Sequence, residues 1–232
     1  MADFARQVGV RRVAIFALDN EFGSGLTEVF TRRFESKSRM VVKTFRIDEE
    51  DVSNYTQMIE ELRELEPQGI YLVAYVKVLS ELVSQIRAAD IDCLLMGSGS
   101  VTEQLTQLAG DAAELLVYPQ PSFDPDSDEP AVAEFVAAFR AKYNKEPDIY
   151  AAHGYDALKL LVESIRTTGS TFPDDVRRGL HGLDNYMGAA GRTQFDERGD
   201  VVRYPKIFVI HEGKSVSLDQ FEAAGGKLPT PG

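Results

Sequence analysis

The side chains able to do chemistry are few and scattered. The 232 residues hold three histidines, His153, His181 and His211, and one cysteine, Cys93. Metal chemistry needs His and Cys ligands converging at short spacings, and no two histidines stand four apart or join a Cys-His cluster. Acyl transfer on an α/β scaffold calls for a Gly-x-Ser-x-Gly elbow, and none occurs. Ser24 stands in Gly23-Ser24-Gly25, which lacks the third glycine of a dinucleotide-binding turn, and Gly97-Ser98-Gly99-Ser100 lacks the lysine and spacing of a phosphate loop. Cys93 lies in the apolar run Ile91-Asp92-Cys93-Leu94-Leu95-Met96 and reads as a core thiol; being alone, it forms no intramolecular disulfide. Carboxylates are many, but they lie on helix faces and in one acidic stretch, as solvated charge does. This inventory predicts recognition rather than turnover, with no cofactor and no metal.

Recognition then falls to aromatic and hydroxyl side chains at the ends of apolar runs. Phe22 and Tyr75 supply flat apolar walls, Ser98 and Ser100 supply hydroxyls, and Asp19 supplies a charge. Each has a structural reading beside the functional one. Phe22 either lines a pocket or packs under a helix start. Tyr75 either faces a pocket or closes an apolar strand, Asp19 either meets a ligand or braces its loop, and Ser98 and Ser100 either contact a ligand or let the backbone turn. Ser24 reads as a helix cap rather than a contact.

The elements that position these residues follow from periodicity. Ala2 to Val8 reads as a helix end closed by Gly9. Val13 to Leu18 is apolar throughout, as a strand covered on both faces should be. Further strands are expected at Val41 to Phe45, Ile70 to Ala74, Cys93 to Met96 and Leu115 to Tyr118. Between them, helical spacing runs through Leu26 to Phe34, Tyr55 to Leu65 (capped by Ser53-Asn54), Val78 to Ala89 and Thr102 to Leu108. Five strands alternating with helices predict a parallel, doubly wound α/β sheet of order 2-1-3-4-5, with right-handed crossovers. Such sheets bind ligands at the carboxyl ends of strands where the order reverses, here between the first and third strands.

The alternation stops at Tyr118 to Pro130, rich in proline and aspartate, which reads as a crossing linker. Helices are expected at Ala131 to Tyr143, Ala151 to Arg166 and Asp174 to Leu180, the last opened by Pro173. After Gly191 a β-hairpin is expected: Thr193-Gln194-Phe195, a turn at Asp196 to Asp200, then Tyr204 to Ile210. The tail beyond Ala224 reads as loose. These breaks suggest three segments: an α/β lobe over 1–120, linker and helices over 121–187, and a hairpin over 188–232 that returns to the first lobe.

The totals bound the function class. A net charge of −12 argues against a nucleic-acid or anionic-membrane surface. No run of about 18 apolar residues exists to span a bilayer. The opening Met-Ala-Asp-Phe-Ala-Arg-Gln has no apolar core and does not read as a signal peptide.

Four blocks, in order over nearly the whole chain, resemble the type I periplasmic binding proteins, above all the Leu/Ile/Val-type receptors of ABC transporters. They are Arg11-Arg12-Val13-Ala14-Ile15 with Asp19 and Phe22-Gly23-Ser24-Gly25; Asn54-Tyr55-Thr56 through Ile70-Tyr71-Leu72-Val73; Tyr150 with Gly154-Tyr155-Asp156-Ala157-Leu158; and Gly191 through Phe195-Asp196-Glu197-Arg198-Gly199-Asp200. The resemblance implies a two-lobed fold that closes on a small polar solute, such as an amino acid, and a periplasmic or extracellular partner of a membrane permease. It puts Phe22, Tyr75 and Tyr150 beside the ligand, together with the loop Ser98 to Ser100. That loop often carries an acid for a ligand's ammonium in the family and carries none here. It also implies that most of a first lobe is not in this chain: either the helices after residue 124 pack on the lobe present or on a second copy of the chain, or the missing lobe is encoded upstream. A sensory domain of the same fold and an α/β enzyme are the alternatives; an adjacent kinase or regulator gene marks the first, turnover dependent on one serine or histidine the second.

Overall fold

The run Arg12–Leu18 forms strand β1, and from Val13 on each of its residues is buried. Its side chains alternate between two cores. Ala14, Phe16 and Leu18 join one cluster, while Val13, Ile15 and Ala17 join the other. A strand with helices on both sides has no solvent face, which is why the sequence there shows no polar alternation.

The computed structural model describes residues 1–50, 55–121, 123–202 and 205–229. The expected cap at Ser53-Asn54 lies outside them. By internal contacts the chain forms two units: Met1–Gln120 with Lys206–Gly232, and Pro121–Pro205.

In the first unit, helix α1 (Ala2–Gln7) precedes β1, and α2 (Glu21–Phe34) follows it. Then come β2 (Met40–Ile47), α3 (Tyr55–Leu65), β3 (Gly69–Val73), α4 (Val76–Ala88), β4 (Leu94–Gly97), α5 (Glu103–Ala109) and β5 (Val117–Gln120). Among the described residues the sheet runs β2-β1-β3-β4-β5 and is parallel throughout that stretch, the expected order. Helix α4 buries Leu79, Leu82 and Val83 in the cluster that holds Phe16 and Leu72. On the opposite face Phe30 of α2 stacks on Tyr71 of β3, ring centroids 4.5 Å apart. Cys93 is a buried core thiol, and burial pushes its pKa up to about 12.

The second unit holds α6 (Pro130–Tyr143), α7 (Ile149–Thr168), α8 (Pro173–His181) and a short antiparallel hairpin, β6 (Tyr186–Gly188) with β7 (Gly191–Thr193). Proline opens α6 and α8, where a missing N–H costs nothing. The Asp148 carboxylate caps α7 by accepting from the Ala151 N–H at 2.8 Å. Val132, Phe135 and Val136 pack with Ile149 and Ala152 into a separate core. The opposite face of α7 leaves Leu158, Leu161 and Val162 exposed, Leu158 at 64%.

Three expectations need correction. A C-terminal hairpin forms as expected, but over 206–217 rather than 193–210. Gly191–Thr193 pairs back onto Tyr186–Gly188, and Phe195 meets Val201 through a single bridge around the Asp196 turn. Asp196 closes that turn by accepting from the N–H groups of Arg198 and Asp200, which hold its pKa below the usual carboxylate range. The return to the first unit accordingly falls at Lys206, not 188, because the β6–β7 hairpin packs with α6 and α7. There β8 (Lys206–His211) adds antiparallel to β5, and β9 (Lys214–Ser217) to β8. A capping box between Ser217 and Gln220 opens α9 (Leu218–Ala223); lastly, the tail beyond Ala224 is not all loose, since Leu228 packs against the core that holds Phe221.

Candidate functional site

The reversal in strand order lies at β1, with β2 on one side and β3 on the other. Ala17 pairs with Val73 near the carboxyl ends of β1 and β3, so the residues that follow each strand emerge side by side. After β1 the chain turns at Asp19-Asn20 into α2. After β3 it turns at Ala74-Tyr75 into α4, with Tyr75 as the residue before the first helical turn.

The start of α2 is built to hold its second residue, Phe22. Asn20 caps the helix, its Oδ1 accepting from the Gly23 N–H at 2.9 Å. Gly23 is fixed by close approach: a Cβ there would lie 1.8 Å from the Leu18 carbonyl oxygen. The cap expected at Ser24 is therefore corrected to Asn20. Ser24 sits inside the helix, where its Oγ accepts from the Arg46 guanidinium at 3.1 Å. The helix begins five residues before the first apolar contact that sequence periodicity picks out, Leu26, because two glycines and the cap precede it.

Phe22 and Tyr75 meet. Their rings stack 5.1 Å apart between centroids and 16° from parallel. Phe22 is half-buried and packs against both cores at the sheet's edge. Tyr75 is 42% exposed, and its hydroxyl has no hydrogen bond among the described residues. Phe22 thus packs under the helix start, as its structural reading has it. Tyr75 does not close the core; it stands on the surface.

Ser98 follows β4, the next strand along. Its N–H donates to the Leu72 carbonyl at 3.0 Å, which ties the loop to β3. The side chain is 1% exposed and its hydroxyl has no partner among the described residues. A buried hydroxyl left unpaired costs about 1–3 kcal/mol. Ser100 is half-buried in the adjoining turn. Asp19 faces the other way: its N–H donates to the Ile47 carbonyl at 2.9 Å, and it lines a concavity of about 460 Å³ with Arg46 and Asp48 to Glu50. That hollow does not include Phe22 or Tyr75, so the stacked pair forms a platform beside it. Tyr150, in the second unit, is exposed on the first turn of α7; partial burial and the nearby Asp148 push its pKa upward.

Catalytic groupings are absent among the described residues. His211 pairs with Glu114 at 2.7 Å at a strand end, and no cluster of His, Cys, Asp and Glu could hold a metal. Among the described residues no helix is long and apolar enough to cross a membrane. Sequence reasoning missed two residues that organise the fold. One is Asn20, which its place just before an acidic first turn could have flagged. The other is Asp156, whose carboxylate accepts from Ala189 and Ala190 N–H at 2.7 Å each; nothing in its helical spacing points to a hairpin more than thirty residues away.

A family model described as periplasmic binding protein matches residues 1–211. A Leu/Ile/Val-binding protein homolog of Brucella abortus is 23% identical over 193 residues, which is 82% of this chain and 50% of that protein. Its counterpart in Brucella suis is 29% identical over 109 residues. Among solved structures, a putative branched-chain amino acid ABC transporter protein from Rhodospirillum rubrum aligns at TM-score 0.78 and 25% identity, covering 94% of this chain and 63% of that one. The leucine-binding protein LivK of Thermotoga maritima aligns at TM-score 0.84 and 24% identity, with 94% and 62% covered. The chain therefore spans about half the length of the Brucella abortus relative it matches.

Proposed function

The chain belongs to the periplasmic binding protein family, and from that premise we propose that it takes part in ABC-type uptake by binding a small solute without transforming it. The proposed contact surface is the carboxyl edge of β1, β3 and β4. One observation carries this reading: the stacked pair of Phe22 and Tyr75 stands at the reversal of strand order, with Tyr75 open to solvent. Large apolar side chains held at a sheet's loop edge are costly unless something covers them, and a solute's apolar body is a suitable cover. The unpaired hydroxyl of Ser98 on the neighbouring loop supports the same edge, since a ligand or its ordered water would relieve it.

The proposed roles are unequal. Tyr75 offers a ring face, Ser98 and Ser100 offer hydrogen bonds, and Asp19 borders the edge on the β2 side. For Tyr150 the proposal stands on the family resemblance alone. Relatives are named for leucine, isoleucine and valine, so small amino acids are the first solutes to try. The loop from Gly97 to Ser100 carries no carboxylate, and an ammonium group buried without one is expensive. Amides and ring-bearing acids therefore belong in the same screen. A periplasmic or extracellular location and delivery to a membrane permease complete the proposal.

The test is a thermal-shift screen of this chain against amino acids, their amides and aromatic acids, repeated with Tyr75→Ala. A solute bound at this edge raises the melting temperature in proportion to the logarithm of its concentration above Kd. The shift should vanish in Tyr75→Ala. A shift that survives the substitution places binding elsewhere and ends the proposal.

A further inference from the structure

The central sheet runs two strands further than its parallel part. Beyond β5, the antiparallel β8 and β9 add roughly 10 Å of width. On one face α9 covers them, and Val209 and Val216 pack there with Phe221. On the other face α5, the helix that meets β9, has only seven residues. A hollow of about 290 Å³ opens between that helix and the added strands. Tyr118 and Ile210, each 2% exposed, form its floor. The Tyr118 hydroxyl reaches past β8 and shares a hydrogen bond with Ser215 of β9. Thr106 of α5 stands on one wall, and the exposed Lys214 stands at the rim. Neither Phe22 nor Tyr75 lines this hollow.

We infer that this hollow is a second binding site, for a small carboxylate with a short apolar body. It is separate from the edge of β1, β3 and β4 and does not depend on solute binding there. Charge sets the sign of the ligand. Lys214 is the one charged side chain among the described lining residues, in a chain of net charge −12. Glu114, at the same end of β8, does not compete for it. One of its oxygens shares a hydrogen bond with His211 Nδ1 at 2.7 Å, and the other accepts from the Glu212 N–H at 2.9 Å. Thr106 and Ser215 add hydroxyls, which donate or accept as a ligand requires. Volume limits the body: at about 30 Å³ for each water-sized group, the hollow takes no more than about ten. That suits an acid of a few carbons. The floor favours an organic acid over an inorganic anion, because water or a bare anion finds few polar partners over Tyr118 and Ile210.

The probe is sodium isobutyrate, titrated into the whole chain with its isoleucine methyl groups labelled with ¹³C and Ile210 assigned through Ile210→Val. The chain carries Tyr75→Ala, so that the aromatic edge stays silent. The Ile210 methyl signal should move saturably, with a Kd in about the millimolar range expected of so small a ligand. Lys214 is exposed, so Lys214→Gln leaves the fold intact; it should weaken binding about two- to fivefold, the usual worth of an exposed ion pair. Isobutyramide, which has the same shape without the charge, should be weaker than isobutyrate by a similar factor. Sodium sulfate should leave the Ile210 signal in place. The absence of a saturable shift by about 50 mM isobutyrate overturns the inference. So does an affinity unchanged in Lys214→Gln, isobutyramide binding as well as the acid, or an equal response to sulfate.

Discussion

Asp156 and Ser98 are both buried polar side chains, and the fold treats them in opposite ways. In the second unit the Asp156 carboxylate is 4% exposed, and each oxygen accepts one backbone N–H of the β6–β7 turn at 2.7 Å. The fit is tight enough that a Cβ at Gly188 would lie 2.4 Å from the carboxylate. In the first unit Ser98 is as deeply buried, yet among the described residues its hydroxyl has no partner, beside a loop edge where a tyrosine ring faces solvent. The contrast teaches how to separate scaffold from site. A buried polar group whose hydrogen bonds are all made belongs to the architecture. A buried polar group left unpaired, next to exposed apolar surface, marks a place where the isolated fold is not at its own optimum.

Each side of this contrast can be broken. The largest effect is expected from Asp156→Ala, which strands two buried N–H donors and should cost about 3 kcal/mol, read as a lower urea midpoint for the second unit. An effect below about 1 kcal/mol would mean the clamp is not structural. Gly23→Ala comes next: its Cβ must displace the α2 start from the Leu18 carbonyl, at a cost of roughly 2 kcal/mol by the usual scale of overpacking. It should also disturb the Tyr75 ring. Ser98→Ala should act with the opposite sign, raising stability by about 1 kcal/mol because it removes an unpaired buried hydroxyl, while weakening solute binding. Loss of stability there would show that the hydroxyl has a partner and would erase the contrast with Asp156. Tyr75→Ala should change stability by less than about 1 kcal/mol, since the ring is exposed, and abolish solute-dependent shifts. The smallest effect concerns Cys93. Its thiol is buried, which both blocks access and raises its pKa, so a thiol reagent at pH 8 should fail to label the folded chain and label it fully in denaturant.

Much of the fold could be read from residue spacing. Met58, Ile59, Leu62 and Leu65 mark one face of a helix, and α3 spans Tyr55–Leu65 as that spacing predicts. The unbroken apolar run of β1 announced a strand covered on both sides, and the parallel order around it followed from alternation of strands and helices. The end of the chain was harder. Strands β6 and β7 have three residues each, too few to show a period, so spacing alone does not mark their pairing. The start of α2 was placed late because glycines usually break helices, whereas Gly23 is there for close packing.

Sequence by itself determined the periodic part of this protein: which segments of the first 120 residues are helices and strands, that β1 to β5 pair in parallel, and that Phe22 and Tyr75 follow neighbouring strands. Those features are local, because side-chain period and turn residues act over a few positions. Tertiary structure alone decided that the two rings stack, that Asn20 rather than Ser24 caps α2, that Asp156 reaches a turn 33 residues away, and that Ser98 is buried without a partner. Each of these depends on what the packed neighbours offer or withhold, and no spacing along the chain encodes a hydrogen bond that is not made.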